Sequence, residues 1–312
     1  MVSVDEYLSS FAEKKEGQKC GHVAIIGRPN VGKSTLLNCL LGQKISITSR
    51  KPQTTRHRIL GIHTQDDCQI VYVDTPGIHD RGKLALHRYM NKTASQVIWD
   101  VDVIVFVVEA LVWTPTDQMV LERLSDVTVP VILTINKVDK IKDKKQLLPY
   151  LEEVSARYKF DSVVPVSARQ AVQVVELEKK LQAMMPESSF FYPAEQVTDK
   201  TATFMASELI REKVFRLCGE ELPYSVTVEI EKYKLEESLC SIAALILVDK
   251  ESHKRMIIGK RGEKLKEIGS QARQDMERSM HKKVYLQLWV KVKTGWADDE
   301  RALRSLGYDS FL

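Results

Sequence analysis

The sequence predicts an α/β domain, a mainly parallel sheet with helices on both faces, followed by a smaller α+β domain. Three observations carry that prediction. Residues 22–185 alternate strand and helix patterns at the spacing of βα units. The apolar run from His22 to Ile26 ends in a turn bounded by Gly27 and Gly32, which opens onto the helix-forming stretch 35–40. Beyond a segment at 186–200 that carries two prolines and small polar residues, the rhythm changes to helix, two strands, two helices and a strand.

At 312 residues the chain is long enough for two domains that each bury a core. A net charge of +4 is too small for bulk charge to argue a nucleic-acid partner, so the distribution of charge has to be read instead. Five cysteines (Cys20, Cys39, Cys68, Cys218 and Cys240), odd in number and without a CxxC pair, read as reduced thiols of a cytosolic protein. Residues 1–19 carry Asp5 and Glu6 early and no apolar core, unlike a signal peptide. The longest apolar stretches, 103–108 and 241–248, are too short to span a bilayer and suit buried strands.

The first turn is the most specific feature. Gly27-Arg28-Pro29-Asn30-Val31-Gly32-Lys33-Ser34, with Thr35 following, matches the GxxxxGK[ST] phosphate loop between a strand and a helix. Its glycines let successive N–H groups turn inward on a phosphate, and the helix N-terminus adds further donors. Lys33 can bridge the β- and γ-phosphate oxygens, and the Ser34 hydroxyl is a hard oxygen ligand for Mg²⁺. These residues imply a nucleoside triphosphate as ligand.

The base is read further along. The β-branched run 131–135 ends in Asn136-Lys137-Val138-Asp139, which follows Lys33 by 103 residues. A carboxylate at Asp139 accepts from guanine N1–H and N2–H₂, a donor pair that adenine lacks, so it selects GTP over ATP. Asn136 can tie the base loop to the phosphate loop, and the Lys137 stem can lie over the purine face. After the strand pattern 163–166, the backbone amides of Ser167 and Ala168 are expected to meet guanine O6.

Between these motifs, the alternating run 69–73 ends in Asp74-Thr75-Pro76-Gly77. Pro followed by Gly favours a β-turn, which is also the geometry that sets the Gly77 amide at a γ-phosphate. Asp74 can hold Mg²⁺ through water. Upstream, 46–56 reads as a polar loop in which Thr54 or Thr55, with Thr55 preferred, closes over the metal in the GTP state. Arg56 and Arg58 are either cis arginine fingers or part of a solvated basic loop. The position after the turn, where many signalling GTPases place a water-orienting glutamine, is Ile78, so slow intrinsic turnover is expected.

With the 28–30 run and the stretch Gln53-Thr54-Thr55-Arg56-His57, the first 185 residues resemble the Era-type GTPases. That resemblance implies a hydrophobic residue at the glutamine position. It also implies that Asn30 helps bind K⁺ near the phosphates, which places Asn30 with Lys33, Thr55 and Gly77 in the catalytic apparatus.

The second half carries its own signal. Residues 201–217 read as an amphipathic helix, 224–231 and 240–248 as strands, 263–280 as a helix and 283–290 as a final strand. Ile258-Gly259-Lys260-Arg261-Gly262, followed by Lys264, looks like the GxxG loop of a KH domain, and the α-β-β-α-α-β order resembles its type II form. Residues 254–283 hold ten Lys and Arg against four Asp and Glu, in a chain that is otherwise nearly neutral. Glycines there let a single-stranded sugar-phosphate path approach, while Lys260 and Arg261 neutralise phosphates. Met256, Ile257, Ile258, Leu265 and Ile268 read as core and groove floor.

A P-loop GTPase domain at 20–185, a linker at 186–200, a KH domain at 201–293 and a tail at 294–312 extend the resemblance to the Era family over nearly the whole chain. It implies a monomeric bacterial factor in small-subunit assembly that binds 16S rRNA near its 3′ end, cycles between GTP and GDP, and associates peripherally with the inner membrane. The alternative is a signalling GTPase whose basic domain docks a protein or membrane surface. Basic residues flanking the glycines favour RNA.

Overall fold

The computed structural model describes residues 17–49, 51, 54–77, 84–97, 99–218, 226–306 and 308. Their contacts form two compact units. The first takes the described residues of Met1–Ile45, His57–Asp80 and Asn91–Asp199; the second takes those of Ser46–Arg56, Arg81–Met90 and Lys200–Leu312. Each contains its own buried cluster.

In the first unit, β1 (Lys19–Ile26), β2 (Ile59–Gln65), β3 (Cys68–Asp74), β4 (Val103–Glu109), β5 (Val131–Asn136) and β6 (Ser162–Pro165) form one sheet in the order β2-β3-β1-β4-β5-β6. Only the β2–β3 hairpin is antiparallel; β1, β3, β4, β5 and β6 pair in parallel. Parallel strands covered on both faces must be apolar along their length. Accordingly, residues 103–108 of β4 and all of β5 are buried. Connecting helices are α1 (Lys33–Leu40), α3 (Pro115–Glu122), α4 (Leu147–Ser155) and α5 (Val174–Met184), while α2 (Ala85–Val97) has its residues 85–90 in the second unit and 91–97 in the first. Thr114 caps α3: its hydroxyl accepts from the Asp117 amide while the Asp117 carboxylate accepts from the Thr114 amide, with Pro115 at the first helical position.

Strand order reverses around β1, which pairs with β3 on one side and β4 on the other, and such a reversal opens a crevice at the carboxyl ends of the strands. The segment at 186–199 is sewn to the first unit. Gln69 Oε1 accepts from the Phe191 and Tyr192 amides at 2.9 and 3.0 Å, Phe191 stacks on His22, and the Ile62 amide donates to Val197 O at 2.8 Å.

The second unit has a three-stranded sheet, β7 (Val226–Leu235), β8 (Leu239–Val248) and β9 (Lys283–Val292), with β8 central, antiparallel to β7 and parallel to β9. Helices α6 (Ala202–Leu217), α7 (Glu251–Ile258) and α8 (Glu263–Met280) close one face over Ile242, Ala244, Ile246, Ile257, Ile268, Ala272 and Met276. The tail carries α9 (Glu300–Ser305) and buries Trp296, Leu303 and Tyr308 against Ala85, Leu86 and Met90.

One ion pair ties α5 to the sheet edge: His63 Nε2 on β2 lies 2.9 Å from Glu178 Oε1. The Glu178 carboxylate, as acceptor of the imidazole N–H, raises His63 above its ordinary value of 6.5 against an opposing push from burial. Its contribution is therefore complete below about pH 6.5 and is lost as pH rises through the raised folded value. Because the pair is partly exposed, about 0.5 to 1 kcal/mol is at stake. Chemical denaturation from pH 6 to 9 should show this loss in the parent chain, and Glu178→Gln should flatten it.

Candidate functional site

The carboxyl ends of β1, β3, β5 and β6 carry the residues singled out in the sequence. After β1 the chain turns through Gly27 at φ 146°, Asn30 at φ 66° and Gly32 at φ 103°, all on the left-handed side where glycine, and next asparagine, is tolerated. A Cβ on Gly27 would stand 2.3 Å from Val107 O, and one on Gly32 would stand 2.3 Å from Asn136 Nδ2. Only glycine fits at either place. Lys33 begins α1 and turns its ammonium back into the loop, donating to Gly27 O at 2.9 Å and Arg28 O at 3.0 Å. Burial pushes this amine down to about 8, with Asp74 opposing. A cation held there by carbonyl dipoles is poised for an anion.

Ser34 Oγ donates to Asp74 Oδ2 at 2.8 Å, which brings a hydroxyl and a buried carboxylate together from α1 and β3. Two hard oxygens are the donor chemistry of Mg²⁺ rather than of a soft or nitrogen-loving metal. Thr75 Oγ1 donates to Ile25 O at 3.1 Å, holding the turn after β3 against β1. Gly77 then passes so close to the phosphate loop that a Cβ would lie 2.9 Å from Pro29 Cγ and 3.0 Å from Pro29 N. Ile78 lies outside the described residues.

Asn136 is 2% exposed and joins three loops. Its Nδ2 donates to Val31 O at 2.9 Å, and its Oδ1 accepts from the Lys137 amide at 2.8 Å and the Ala168 amide at 3.0 Å. Lys137 has φ 69°, so the chain turns at the strand end and Val138–Lys140 forms a short 3-10 turn that presents Asp139 to solvent. Ser167 Oγ donates to Asp139 Oδ1 at 2.6 Å and orients that carboxylate.

Ser167 N donates to Val172 O at 3.1 Å and Ala168 N to Asn136 Oδ1 at 3.0 Å. In this structure they brace the loop. Arg56 is neither a solvated loop residue nor an outstretched finger. It is fully buried, donates to Val226 O at 2.8 Å and Tyr308 Oη at 3.2 Å, and lies over the Phe215 and Trp296 rings at 5.8 and 5.7 Å. Arg58, the other candidate finger, is half-buried.

Thr54 and Thr55 sit in a segment whose contacts place it in the second unit. Arg211 donates to Thr54 O at 2.5 Å, Thr48 N and Oγ1 donate to Glu212 Oε1 at 3.0 and 3.4 Å, and Lys51 Nζ donates to Cys218 O. Glu208, Arg211 and Glu212 are buried on α6, so the helix is not simply amphipathic. Their helical spacing is the one trace of this face in the sequence, and it reads equally as a solvated stripe.

Glu109 and Asp117 were also missed. Arg28 donates to Asp117 at 3.0 Å and Glu109 at 3.4 Å, and Lys137 Nζ lies 2.7 Å from Glu109 Oε2. Burial would raise the Glu109 carboxyl, but Lys137 and Lys140 outweigh it and hold it below its ordinary value. This network draws the Arg28 charge sideways and leaves Asn30 as an exposed polar side chain of the loop.

In the second unit, α7 ends at Ile258 and the chain passes through Gly259 at φ 72°, Arg261 at φ 53° and Gly262 at φ 79° before α8. A Cβ on Gly259 would lie 2.7 Å from Lys264 Cβ, so the loop closes tightly onto α8. Lys260 and Arg261 are exposed at its tip; Ile258 and Lys264 are half-buried beside it.

A phosphate cradle with a guanine-selective loop at the strand ends, followed by a glycine-bounded basic loop between two helices, defines a P-loop GTPase fused to a KH domain. Comparison agrees. A family model described as a 50S ribosome-binding GTPase matches residues 22–137, and a KH-domain model matches residues 221–297. The GTPase Era of Actinobacillus pleuropneumoniae serotype 5b is 58% identical over 290 residues, covering 93% of this chain and 95% of its own. A variant of Aquifex aeolicus Era solved with GDP.AlF4- superimposes with a TM-score of 0.90 at 40% identity, over 94% of this chain and all of that one. Era solved with MgGDPNP and nucleotides 1506–1542 of 16S ribosomal RNA gives the same TM-score, identity and coverage. The chain belongs to the Era family of GTPases.

If Asp139 reads the guanine donors, Asp139→Asn should weaken GTP about a hundredfold or more and create binding to XTP, whose 2-keto group needs a donor opposite. Titration of both nucleotides checks this; unchanged GTP affinity would remove Asp139 from the base site.

Proposed function

We propose that this protein is a GTP-hydrolysing switch that binds 16S rRNA near its 3′ end through its KH domain and acts in assembly of the 30S subunit. The observation that carries this reading is the pairing of the two loops in one chain, in the order and over the length of an Era protein solved with both MgGDPNP and a 16S rRNA fragment. That fragment directs the proposal to the small subunit rather than to the 50S particle of the broader family description.

In this mechanism the loop from Gly27 to Thr35 wraps the phosphates and Lys33 exchanges its two carbonyl partners for phosphate oxygens. Ser34, Asp74 and one of Thr54 and Thr55 are the residues that would hold Mg²⁺, which when bound neutralises charge developing between the β- and γ-phosphates. The Gly77 amide faces the γ-phosphate, Asn136 through Asp139 seat the base, and Ser167 orients Asp139.

The segment 46–56, which carries Thr54 and Thr55, is bonded to Arg211, Glu212 and Cys218 of the second unit. Those partners belong to α6 and its C-terminal cap, in the domain that binds RNA. A metal that engaged Thr54 or Thr55 would act on this segment, which would couple nucleotide state to the RNA domain. The proposal also includes a monomeric chain and peripheral contact with the inner membrane, on family resemblance. Among the described residues no helix is long and apolar enough to cross a membrane.

K⁺ enters through Asn30. Its side chain is exposed on the phosphate loop while Arg28 is held by Asp117 and Glu109, and a monovalent cation bound beside it would offset charge in the transition state. Hydrolysis should run about tenfold faster in K⁺ than in Na⁺, and Asn30→Ala should remove the difference without abolishing nucleotide binding. Equal rates in both salts would exclude K⁺ from the mechanism.

The test of the RNA reading is the double variant Lys260→Asp, Arg261→Asp. Both side chains are exposed and both glycines remain, so folding is preserved. Affinity for single-stranded 16S rRNA fragments should fall at least a hundredfold, while basal GTPase activity persists and any stimulation by RNA vanishes. Filter binding across a salt series reads this directly. Full affinity in the folded variant would reduce residues 259–262 to a turn and leave the docking-module alternative.

A further inference from the structure

Among the described residues, the helices of the second unit pack on one face of its sheet. Val284, Leu286, Leu288, Val290 and Val292 of β9 point into the core with Ile242, Ala244 and Ile246 of β8. Strand alternation therefore sends Lys283, Tyr285, Gln287, Trp289 and Lys291 to the other face, and each of them is exposed. Tyr285 and Trp289 are 54% and 47% exposed, large values for aromatic rings on a regular strand. Register places Ser241 and Lys234 beside Tyr285, Ala243 and Lys232 beside Gln287, and Leu245 and Glu229 beside Trp289. The bulge between Ile230 and Lys232 is what brings both lysines of β7 to this side while Tyr233 stays with the core.

The charge on this face is predominantly basic. Lys232, Lys234, Lys283 and Lys291 flank the two rings, against Glu229 in the paired rows and the exposed Glu231 at the bulge, so cations outnumber acids four to two. Lys234 is drawn to Glu236 at 2.6 Å; Lys232 and Lys283 act on Glu236 and Glu277 at longer range, and neither they nor Lys291 form an ion pair among the described residues. Small side chains, Ser241 and Ala243, lie between the rings and the β7 lysines, so the surface is open and shallow. Two exposed rings, spaced four residues or about 13 Å along one strand, with cations on both sides, match the chemistry of stacked bases and their phosphates. A protein partner would ask for a larger continuous apolar patch, and the lysines argue against one.

We propose that this outward sheet face is a second single-stranded RNA surface, in which Tyr285 and Trp289 stack bases while Lys232, Lys283 and Lys291 neutralise phosphates. The Gly259–Gly262 loop lies between α7 and α8, on the covered side of the sheet. Among the described residues β9 pairs with β8 alone, at the edge of the sheet. RNA leaving the glycine loop passes around that edge to reach the aromatic face. The inference rests on the reading of this domain as RNA-binding.

The full-length protein is titrated by fluorescence anisotropy with a 6-nucleotide and a 20-nucleotide single-stranded RNA from the 16S 3′ end. The double variant Tyr285→Ala, Trp289→Ala, both positions being exposed, should bind the long RNA at least fivefold more weakly and the short RNA unchanged. Tyr285→Phe with Trp289→Phe should restore long-RNA affinity, because the ring and not the polar tip stacks. Replacing Lys232, Lys283 and Lys291 with Gln should lower the salt slope for the long RNA alone. Thermal melting of each variant at the parent value confirms that folding is intact. Undiminished binding of the long RNA by the alanine variant, with loss in the Lys260→Asp, Arg261→Asp variant, would overturn this surface and keep the glycine loop. Loss in neither would overturn the RNA reading itself. Loss of binding to anionic phospholipid vesicles with RNA unaffected would assign the face to a membrane and overturn the proposal.

Discussion

The nucleotide-facing end of the first unit depends on the buried amide of Asn136. One side chain donates to the phosphate loop at Val31 and accepts from the loops after β5 and β6 at Lys137 and Ala168. A buried amide left with unmet partners costs about 1 to 3 kcal/mol, so these three bonds hold or fail nearly together. Gly32 has to be a glycine because this side chain occupies the space its Cβ would take. Ser167 completes the brace by fixing Asp139, and the amides of Ser167 and Ala168 do the same. A site that must seat a triphosphate and a base from separate loops needs them held before the ligand arrives.

A second constraint operates through charge burial on α6. Glu208 and Arg211 pair inside the second unit, Lys213 bonds Asp275 of α8, and Glu212 accepts from both Thr48 and Arg216. Removing one member would leave an uncompensated buried charge, which is far costlier than losing a surface pair. The same helix therefore secures the KH fold and grips the polar segment 46–56. Arg56 extends that grip from the other side, held by the Val226 carbonyl and Tyr308 and packed between two aromatic rings. Such a segment can be exchanged only if its new partners satisfy as many polar groups as the old ones did.

The phosphate loop, the Asp-Thr-Pro-Gly turn and the Asn-Lys-x-Asp turn were legible because each is a short contiguous stretch at the end of a strand. There the geometry depends on neighbours in sequence: glycine where φ is positive, proline where a turn starts. The glycine loop at 259–262 was legible for the same reason, with its context supplied by the basic run. The roles of Glu109 and Asp117 were not. Arg28 meets them across 81 and 89 residues of chain, and nothing local marks either carboxylate as its partner. The fate of Arg56 was equally hidden, since its carbonyl acceptor lies 170 residues away. The bulge in β7 that turns Lys232 and Lys234 outward is a matter of register, which alternation within one strand cannot reveal.

Sequence by itself determined the chemistry of the turns and the run of apolar strands, because backbone conformation at glycine, proline and β-branched residues is a local property. Tertiary structure decided which charges are buried on α6, which partners the amides of Ser167 and Ala168 take, and which unit holds Thr54 and Thr55. Those outcomes depend on burial and on partners brought from distant parts of the chain. A lysine, arginine or glutamate reads the same in sequence whether water or protein will surround it.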